Sequence, residues 1–206
     1  MTTTEHFDKA ARDWDKKPRR VELAEIISKA ITTLPLSKDM NGMEYGCGTG
    51  LVGMAVAPSL RSLTSIDTSQ GMLDVLQEKI QNQDAAVIKT HCCNLLEDKY
   101  TQKHDLIFCS MTLHHIQDTE AILKRFAELL NPGGYLAIAD LITEDGSFHK
   151  PSAQGIWHKG FDPEHLTTLL EGFAMESVKD EIIHTIVREE NNKRYPVFLL
   201  TGRKTA

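Results

Sequence analysis

The segment Glu44-Tyr45-Gly46-Cys47-Gly48-Thr49-Gly50 carries the strongest chemical signal in the chain. Alternate glycines let a backbone turn tightly and approach a ligand closely, and the amides that follow attract a carboxylate or phosphate. Seventeen residues beyond Gly50 stands Asp67, whose carboxylate can accept both hydroxyls of a ribose. Together they imply a nucleoside-containing cofactor at the carboxyl edge of a set of strands. The plainer use of Asp67 is to cap the helix that follows it. His114 and His115 carry imidazoles, which exchange a proton near neutrality; packing, or a hydrogen bond that fixes a turn, is the alternative. Asp140 could orient a hydroxyl or amine. His91, Cys92 and Cys93 have the residue types of a metal cluster. Strand neighbours face opposite ways, however, and no C-x-x-C pair occurs, so no metal is expected.

The elements that must position these groups follow from the hydrophobic pattern. Short apolar runs alternate with longer amphipathic ones, the mark of an α/β sheet with crossover helices. Strands fit residues 40–45, 62–66 (ending at Asp67), 86–92, 105–110 and 135–139. Apolar positions at helical spacing predict helices over 21–34 and 71–81, and another ending near Leu130, where Asn131-Pro132-Gly133-Gly134 forces a stop. Asp162-Pro163-Glu164 reads as a helix start, with its stop at Gly172. Two β-rich runs, 177–188 and 195–201, form a hairpin through Glu189-Glu190-Asn191-Asn192-Lys193.

Gly48-Thr49-Gly50-Leu51-Val52-Gly53 satisfies G-x-G-x-x-G, the nicotinamide fingerprint, but Gly46 already follows the strand and the register is that of E-x-G-x-G-x-G. In this the chain resembles the class I S-adenosylmethionine-dependent methyltransferases, and most closely the small-molecule group of the ubiquinone/menaquinone-biosynthesis type (methyltransferase type 11 family). Further motifs carry the likeness: Ser65-Ile66-Asp67-Thr68-Ser69-Gln70-Gly71-Met72, His104-Asp105-Leu106-Ile107-Phe108-Cys109-Ser110 with Leu113-His114-His115-Ile116, Leu130-Asn131-Pro132-Gly133-Gly134, and the N-terminal Phe7-Asp8-Lys9-Ala10-Ala11-Arg12-Asp13-Trp14-Asp15.

The resemblance implies S-adenosyl-L-methionine as cofactor, bordered by Glu44, Gly46, Cys47, Gly48, Gly50, Asp67, Thr68, Met72, Asn94, Leu95 and Ser110. Cys47 would be a small filler there. Asn94 stands where the family often has Asp, and its amide oxygen can still accept from the adenine amino group. His114, His115 and Asp140 become the catalytic candidates, since donor and acceptor meet beyond the fourth strand. The implied fold is a Rossmann-like α/β seven-stranded sheet, order 3-2-1-4-5-7-6, with strand 7 antiparallel and helices on both faces. One domain over 1–206 is expected: an N-terminal helical lid (1–35), a cofactor-binding half (40–140), and a substrate lid segment, helix and hairpin (141–206). Trp14, Trp157 and His158 fall in the lid segments.

Composition narrows the function. With 206 residues, 41% hydrophobic and 25% charged, the chain has the makeup of a globular domain rather than a disordered one. No apolar run spans a bilayer, the start carries no export signal, and four cysteines suit a reducing, cytoplasmic compartment. A net charge of 23 − 29 = −6 disfavours nucleic acid, and no Asn-Pro-Pro-Tyr-type segment follows the fourth strand. Lys16-Lys17-Pro18-Arg19-Arg20 is a basic run in an acidic chain: a solvated surface, an anion contact over the site, or a peripheral membrane contact. The expectation is in-line methyl transfer to a small-molecule acceptor. The alternatives are an NAD(P)-binding oxidoreductase and a non-catalytic S-adenosylmethionine-binding protein. Nothing in the sequence indicates an oligomeric state.

Overall fold

The computed structural model describes residues 3–149, 155–189 and 192–206. Seven strands form one sheet in the order β3-β2-β1-β4-β5-β7-β6. Strands β1 (Asn41–Tyr45), β2 (Ser62–Asp67), β3 (Ile88–Cys92), β4 (His104–Ser110) and β5 (Leu130–Leu141) run parallel. β7 (Lys193–Lys204) is antiparallel to both β5 and β6 (Met175–Arg188). The parallel strands therefore deliver the residues at their carboxyl ends, Tyr45, Asp67, Cys92 and Ser110, to one edge of the sheet.

Helices α1 (Thr3–Ala10), α2 (Pro18–Ile31), α3 (Gly53–Val56), α4 (Gln70–Asn82), α5 (Thr119–Leu129) and α6 (Pro163–Gly172) surround the sheet. The starts of α4, α5 and α6 follow from short polar side chains that satisfy otherwise orphaned amides. Ser69 accepts from the Met72 amide, Asp118 from Ala121 and Asp162 from Glu164. Ser69, not Asp67, is thus the cap of α4, which leaves Asp67 for another purpose. On one face of the sheet Ile27 and Ile31 of α2 pack with Val56, Leu63 and Phe108. On the other, Ile122, Leu123 and Phe126 of α5 pack with Ile107, Ile138 and Leu166. Each such side chain, taken wholly out of water, stabilises the fold by about 1.5–3 kcal/mol.

The strands depart from the sequence reading in two places. Asn131-Pro132-Gly133-Gly134 does follow the end of α5, but it lies within β5 as a bulge rather than as a break before it. Leu130 pairs with His104 and Tyr135 with Leu106, so the residues between them are extruded, with Gly133 at φ +77°. Asp105 fastens this bulge: its carboxylate accepts from Asn131 Nδ2 at 2.7 Å and from the Asn41 amide at 2.9 Å. The C-terminal hairpin is longer than the apolar runs suggest, because backbone pairing continues through charged positions and through shifts at Glu176/Lys179 and Ile182/His184. In its turn, Glu190 and Asn191 lie outside the described residues, as does 150–154 of the lid segment. No helix among the described residues is long and apolar enough to cross a membrane.

Candidate active site

The loops at the carboxyl edge enclose a cavity of about 1160 Å³, floored by the glycine loop and roofed by the N-terminal segment. Gly46, Gly48 and Gly50 have φ of +69°, +53° and +79°, a region open to glycine and strained for other residues. Each serves differently. A Cβ on Gly46 would overlap the Thr112 side chain and one on Gly50 would overlap Leu76, so these two allow close packing beneath the loop. A Cβ on Gly48 would meet only Met72 Sδ, at 4.0 Å, and would otherwise project into open space. Gly48 keeps room in the cavity itself. Gly53, the last glycine of the nicotinamide-like pattern, instead lets α3 approach the Glu44 carboxylate, which a Cβ there would overlap.

Asp67 stands between this loop and α4. Its Oδ2 accepts from the Gly48 amide at 2.8 Å and its Oδ1 from the Ser69 amide at 2.9 Å. A carboxylate offers about four lone-pair sites, so both oxygens keep acceptor capacity on the cavity side. Burial raises the Asp67 pKa, and the Ser69, Gly48 and Thr68 amides offset part of that rise. Glu44 is almost wholly buried, and its Oε2 has no hydrogen-bond partner. Burial, reinforced by Asp67, pushes its pKa up to about 8. Tyr45 ends β1 against Phe126, with ring centroids 5.6 Å apart, and burial pushes its hydroxyl up to about 12.

Of the residues singled out in the sequence, Glu44, Gly46, Cys47, Gly48, Asp67, Thr68, Met72, Asn94, Ser110 and His115 line the cavity. Gly50, Leu95, His114 and Asp140 stand behind it. Leu95 is a core residue. Asn94 uses its Oδ1 to accept from the Leu96 amide at 3.1 Å, which closes the turn after β3. Trp157 lines the cavity, whereas His158 is drawn to Ile116 O at 2.9 Å and Thr119 Oγ1 at 3.0 Å. Among the described residues no group of three or more His, Cys, Asp or Glu is arranged to hold a metal ion.

The two adjacent histidines differ in role. His114 is buried and its Nδ1 lies 2.7 Å from Asp140 Oδ1. Burial alone would raise the Asp140 carboxyl, but His114 and the Leu141 and His114 amides hold it below its ordinary value. An ionised Asp140 only accepts, so His114 Nδ1 carries the hydrogen. His115 Nδ1 lies 2.8 Å from Gly155 O, and a carbonyl only accepts, so the His115 lone pair is on Nε2. Burial, followed by repulsion from His114, lowers the His115 pKa to about 4.

Several participants had no signal in the sequence. His149 brings a third ring to the pair, 5.0 Å from His114 and 6.1 Å from His115 by centroids. Met111 adopts φ +52°, a strained value for a non-glycine residue, at the cavity wall. Thr112 Oγ1 donates toward Ser110 O and Gly46 O, at 3.0 and 3.2 Å, and ties the β4 turn to the glycine loop. Three carboxylate contacts hold the roof down. Asp8 accepts from Ser69 Oγ at 2.6 Å and the Gly71 amide at 2.9 Å, Arg12 pairs with Glu78 at 2.7 Å, and Asp15 takes Thr49 Oγ1 at 2.6 Å and Lys79 Nζ at 2.5 Å. Phe7 then meets His115 edge-on with centroids 5.1 Å apart.

Comparison with known proteins places this geometry in a wider setting. The methyltransferase domain family matches residues 16–190. An uncharacterized methyltransferase of Schizosaccharomyces pombe is 27% identical over 157 residues, covering 68% of this chain and 55% of that protein. The ubiquinone biosynthesis O-methyltransferase of Coxiella burnetii is 28% identical over 136 residues, 63% of this chain and 57% of that protein. The chain thus spans little more than half the length of these relatives. Among solved structures, the N-methyltransferase NodS of Bradyrhizobium japonicum, bound to S-adenosylhomocysteine, superposes with a TM-score of 0.70 at 18% identity, covering 100% of each chain. At that identity the likeness is one of fold.

Proposed function

The chain belongs to the methyltransferase domain family, and on that premise we propose that it transfers the methyl group of S-adenosyl-L-methionine to a small-molecule acceptor. The observation that carries this reading is one cavity, of about 1160 Å³, which the glycine loop, Asp67 and His115 all border. Pockets that enclose a drug-sized ligand run to about 300–1,000 Å³, so there is space for a nucleoside donor with a small acceptor beside it. The antiparallel β6–β7 hairpin also argues against the nicotinamide oxidoreductase alternative, for which no such hairpin is expected.

The residues present suit the cofactor. Gly48 keeps the approach to the loop open, Asp67 offers acceptors to ribose hydroxyls, and Glu44 stands at the start of the same loop. Thr68, Met72 and Asn94 border the same part of the chain and would enclose the nucleoside. When bound, S-adenosylmethionine supplies a methyl group on a cationic sulfur that is already a good leaving group.

The protein's remaining tasks are alignment, exclusion of water and removal of one proton. Phe7, Trp14 and Trp157 cover the cavity, and His115 Nε2 is its proton acceptor. A base with a pKa of about 4 is weak toward a resting hydroxyl. It becomes competent as the oxygen–methyl bond forms and the hydroxyl proton turns strongly acidic, which favours an oxygen acceptor over an amine. His114 and Asp140 are positioning residues that hold the turn carrying His115.

We read the whole chain as one such domain, with residues 1–35 as its roof. Free Cys47, Cys92, Cys93 and Cys109 support a reducing, cytoplasmic location, and the net charge of −6 argues against nucleic acid. The test is an acceptor-library screen that reads S-adenosylhomocysteine formation. Turnover on a phenol or alcohol supports the reading. Binding of S-adenosylmethionine with no turnover on any acceptor would reduce the protein to a binding module.

A further inference from the structure

We propose that Trp157 is a specificity-determining residue of the acceptor site, a platform on which a flat aromatic acceptor stacks while it presents its hydroxyl to His115. This rests on the reading of the cavity as a donor-plus-acceptor site. Trp157 borders the cavity, yet it is 56% exposed, more than any other large apolar side chain among the described residues. A scattered exposed apolar residue on an outer surface is ordinary. A half-solvated indole at the edge of a binding cavity leaves its area for a ligand to cover.

The other large aromatic side chains at the cavity are already engaged. Trp14 carries the Arg20 guanidinium carbon 3.3 Å from its ring centroid and meets Phe7 with centroids 5.6 Å apart. Phe7 also turns edge-on to His115 at 5.1 Å, and Tyr45 packs on Phe126 at 5.6 Å. Among the described residues no ring or cation meets the Trp157 indole, so its π face is open.

The backbone of Trp157, by contrast, is pinned to the turn that carries the base. Its amide donates to His114 O at 3.0 Å, and two residues earlier Gly155 O accepts from His115 Nδ1 at 2.8 Å. On the far side His158 Nε2 is drawn to Ile116 O at 2.9 Å, and Phe161 pairs with Ile142 just beyond β5. Indole and imidazole therefore ride on one hydrogen-bonded pair of segments, and a ring stacked on the first is held beside the second. The residues that would enclose the nucleoside, Thr68, Met72 and Asn94, come instead from the start of α4 and the loops after β2 and β3. Stacking requires a flat π system and adds to what burial alone supplies. A phenolic hydroxyl also gives up its proton more readily than an alkyl one, so a weak base and an open indole face select the same acceptor.

The experiment titrates 2-naphthol and decahydro-2-naphthol into the S-adenosylhomocysteine complex of the wild type, Trp157→Leu and Trp157→Phe. The two probes share a skeleton and a hydroxyl and differ in flatness. The saturated alcohol has at least as much apolar surface, so burial alone gives naphthol no advantage. The wild type should bind naphthol about tenfold or more tighter, about 1.4 kcal/mol. Trp157→Leu should bring the two probes within about twofold of each other, and Trp157→Phe should keep part of the preference. Naphthol, but not its saturated counterpart, should also shift the Trp157 indole N–H resonance through its ring current, the peak being assigned by its loss in Trp157→Phe. Equal binding of the probes to the wild type, no binding of naphthol, an undiminished preference in Trp157→Leu, or an unmoved indole resonance would overturn the proposal. So would an about tenfold loss of both S-adenosylhomocysteine and 5′-methylthioadenosine affinity in Trp157→Leu, the size of a lost base–aromatic stack. That result would assign the indole to the adenine of the cofactor. Should Trp157→Leu fail to fold, Trp157→Phe with the same probes and the wild-type resonance decide. If the wild type does not bind S-adenosylhomocysteine, the methyl-transfer reading fails, and the same titration on the free protein still tests the platform.

Discussion

At the residue scale, the cavity separates groups that hold a ligand from groups that hold other residues. Asp67 does both, since its carboxylate organises the Gly48 and Ser69 amides and still borders the cavity. Asp67→Ala should weaken S-adenosylhomocysteine by about 1.5–3 kcal/mol, the range of a charge-assisted hydrogen bond, and calorimetry reads this directly. His115→Gln can keep the contact with Gly155 O but loses the imidazole lone pair. Turnover should fall by about 10²–10⁴ with cofactor affinity unchanged. The pH profile offers an independent check on the same residue. Its proton comes on only near pH 4, below the ordinary histidine range, so no activity limb from His115 should occur near pH 6.5. Activity tied to this base is lost only as pH falls toward about 4. A wild-type limb near 6.5 that disappears in His115→Gln would contradict the neutral, buried imidazole seen here. These residues were legible because each sits in a local motif: glycines in a row, an acid at a strand end, two adjacent histidines. That His115 and not His114 borders the cavity was not legible. It depends on Asp140, 26 residues away, and on Gly155, 40 residues away, each claiming one ring nitrogen.

At the scale of elements, the roof segment 3–16 is fastened chiefly to α4, while α2 packs on the sheet. Asp8 meets the start of α4, Arg12 meets Glu78, and Asp15 bridges Lys79 and the glycine-loop Thr49. The Asp15 contact is the least exposed ion pair of the three regions and the one that reaches the cofactor loop itself. Asp15→Ala should therefore free the segment 3–16 and raise amide exchange there and at Thr49. It should also speed S-adenosylhomocysteine dissociation several-fold while leaving the α5–β5 region protected. The exposed Arg12–Glu78 pair, screened by solvent, should contribute little, and Arg12→Ala should move exchange hardly at all. The helical character of the N-terminal segment could be anticipated from its motif, but its partners could not, because every latch joins residues more than 30 apart. The β5 bulge was hidden for a related reason. Asn-Pro-Gly-Gly has turn chemistry locally, and only the Asp105 carboxylate from β4 and the pairing of Leu130 with His104 keep it in the sheet.

At the scale of the whole molecule, cofactor and fold are thermodynamically coupled, because the cavity is built from β1, β2 and β4, the loops between them, and an N-terminal roof latched to the glycine loop and to α4. The sheet order was legible in the sequence only through the family resemblance that the glycine loop and the later motifs carry; the alternation of strand and helix patterns by itself indicates no more than an α/β sheet. A ligand bridging the glycine loop, Asp67 and the roof binds only the folded chain, so it must raise the unfolding temperature. At 100 times its dissociation constant, S-adenosylhomocysteine should add about 2.7 kcal/mol. For a chain of this size, about 2–4 °C per kcal/mol gives a shift of roughly 5–11 °C. NAD at the same concentration should give none. The shift should shrink in Asp67→Ala, which loses a ligand contact, and in Asp15→Ala, which loosens the roof. The two losses should combine less than additively, because Gly48, which donates to Asp67, and Thr49, which donates to Asp15, are neighbours in one loop. Strict additivity would mean that the roof and the floor respond to the cofactor independently, and the latch to Thr49 would then have no part in holding it.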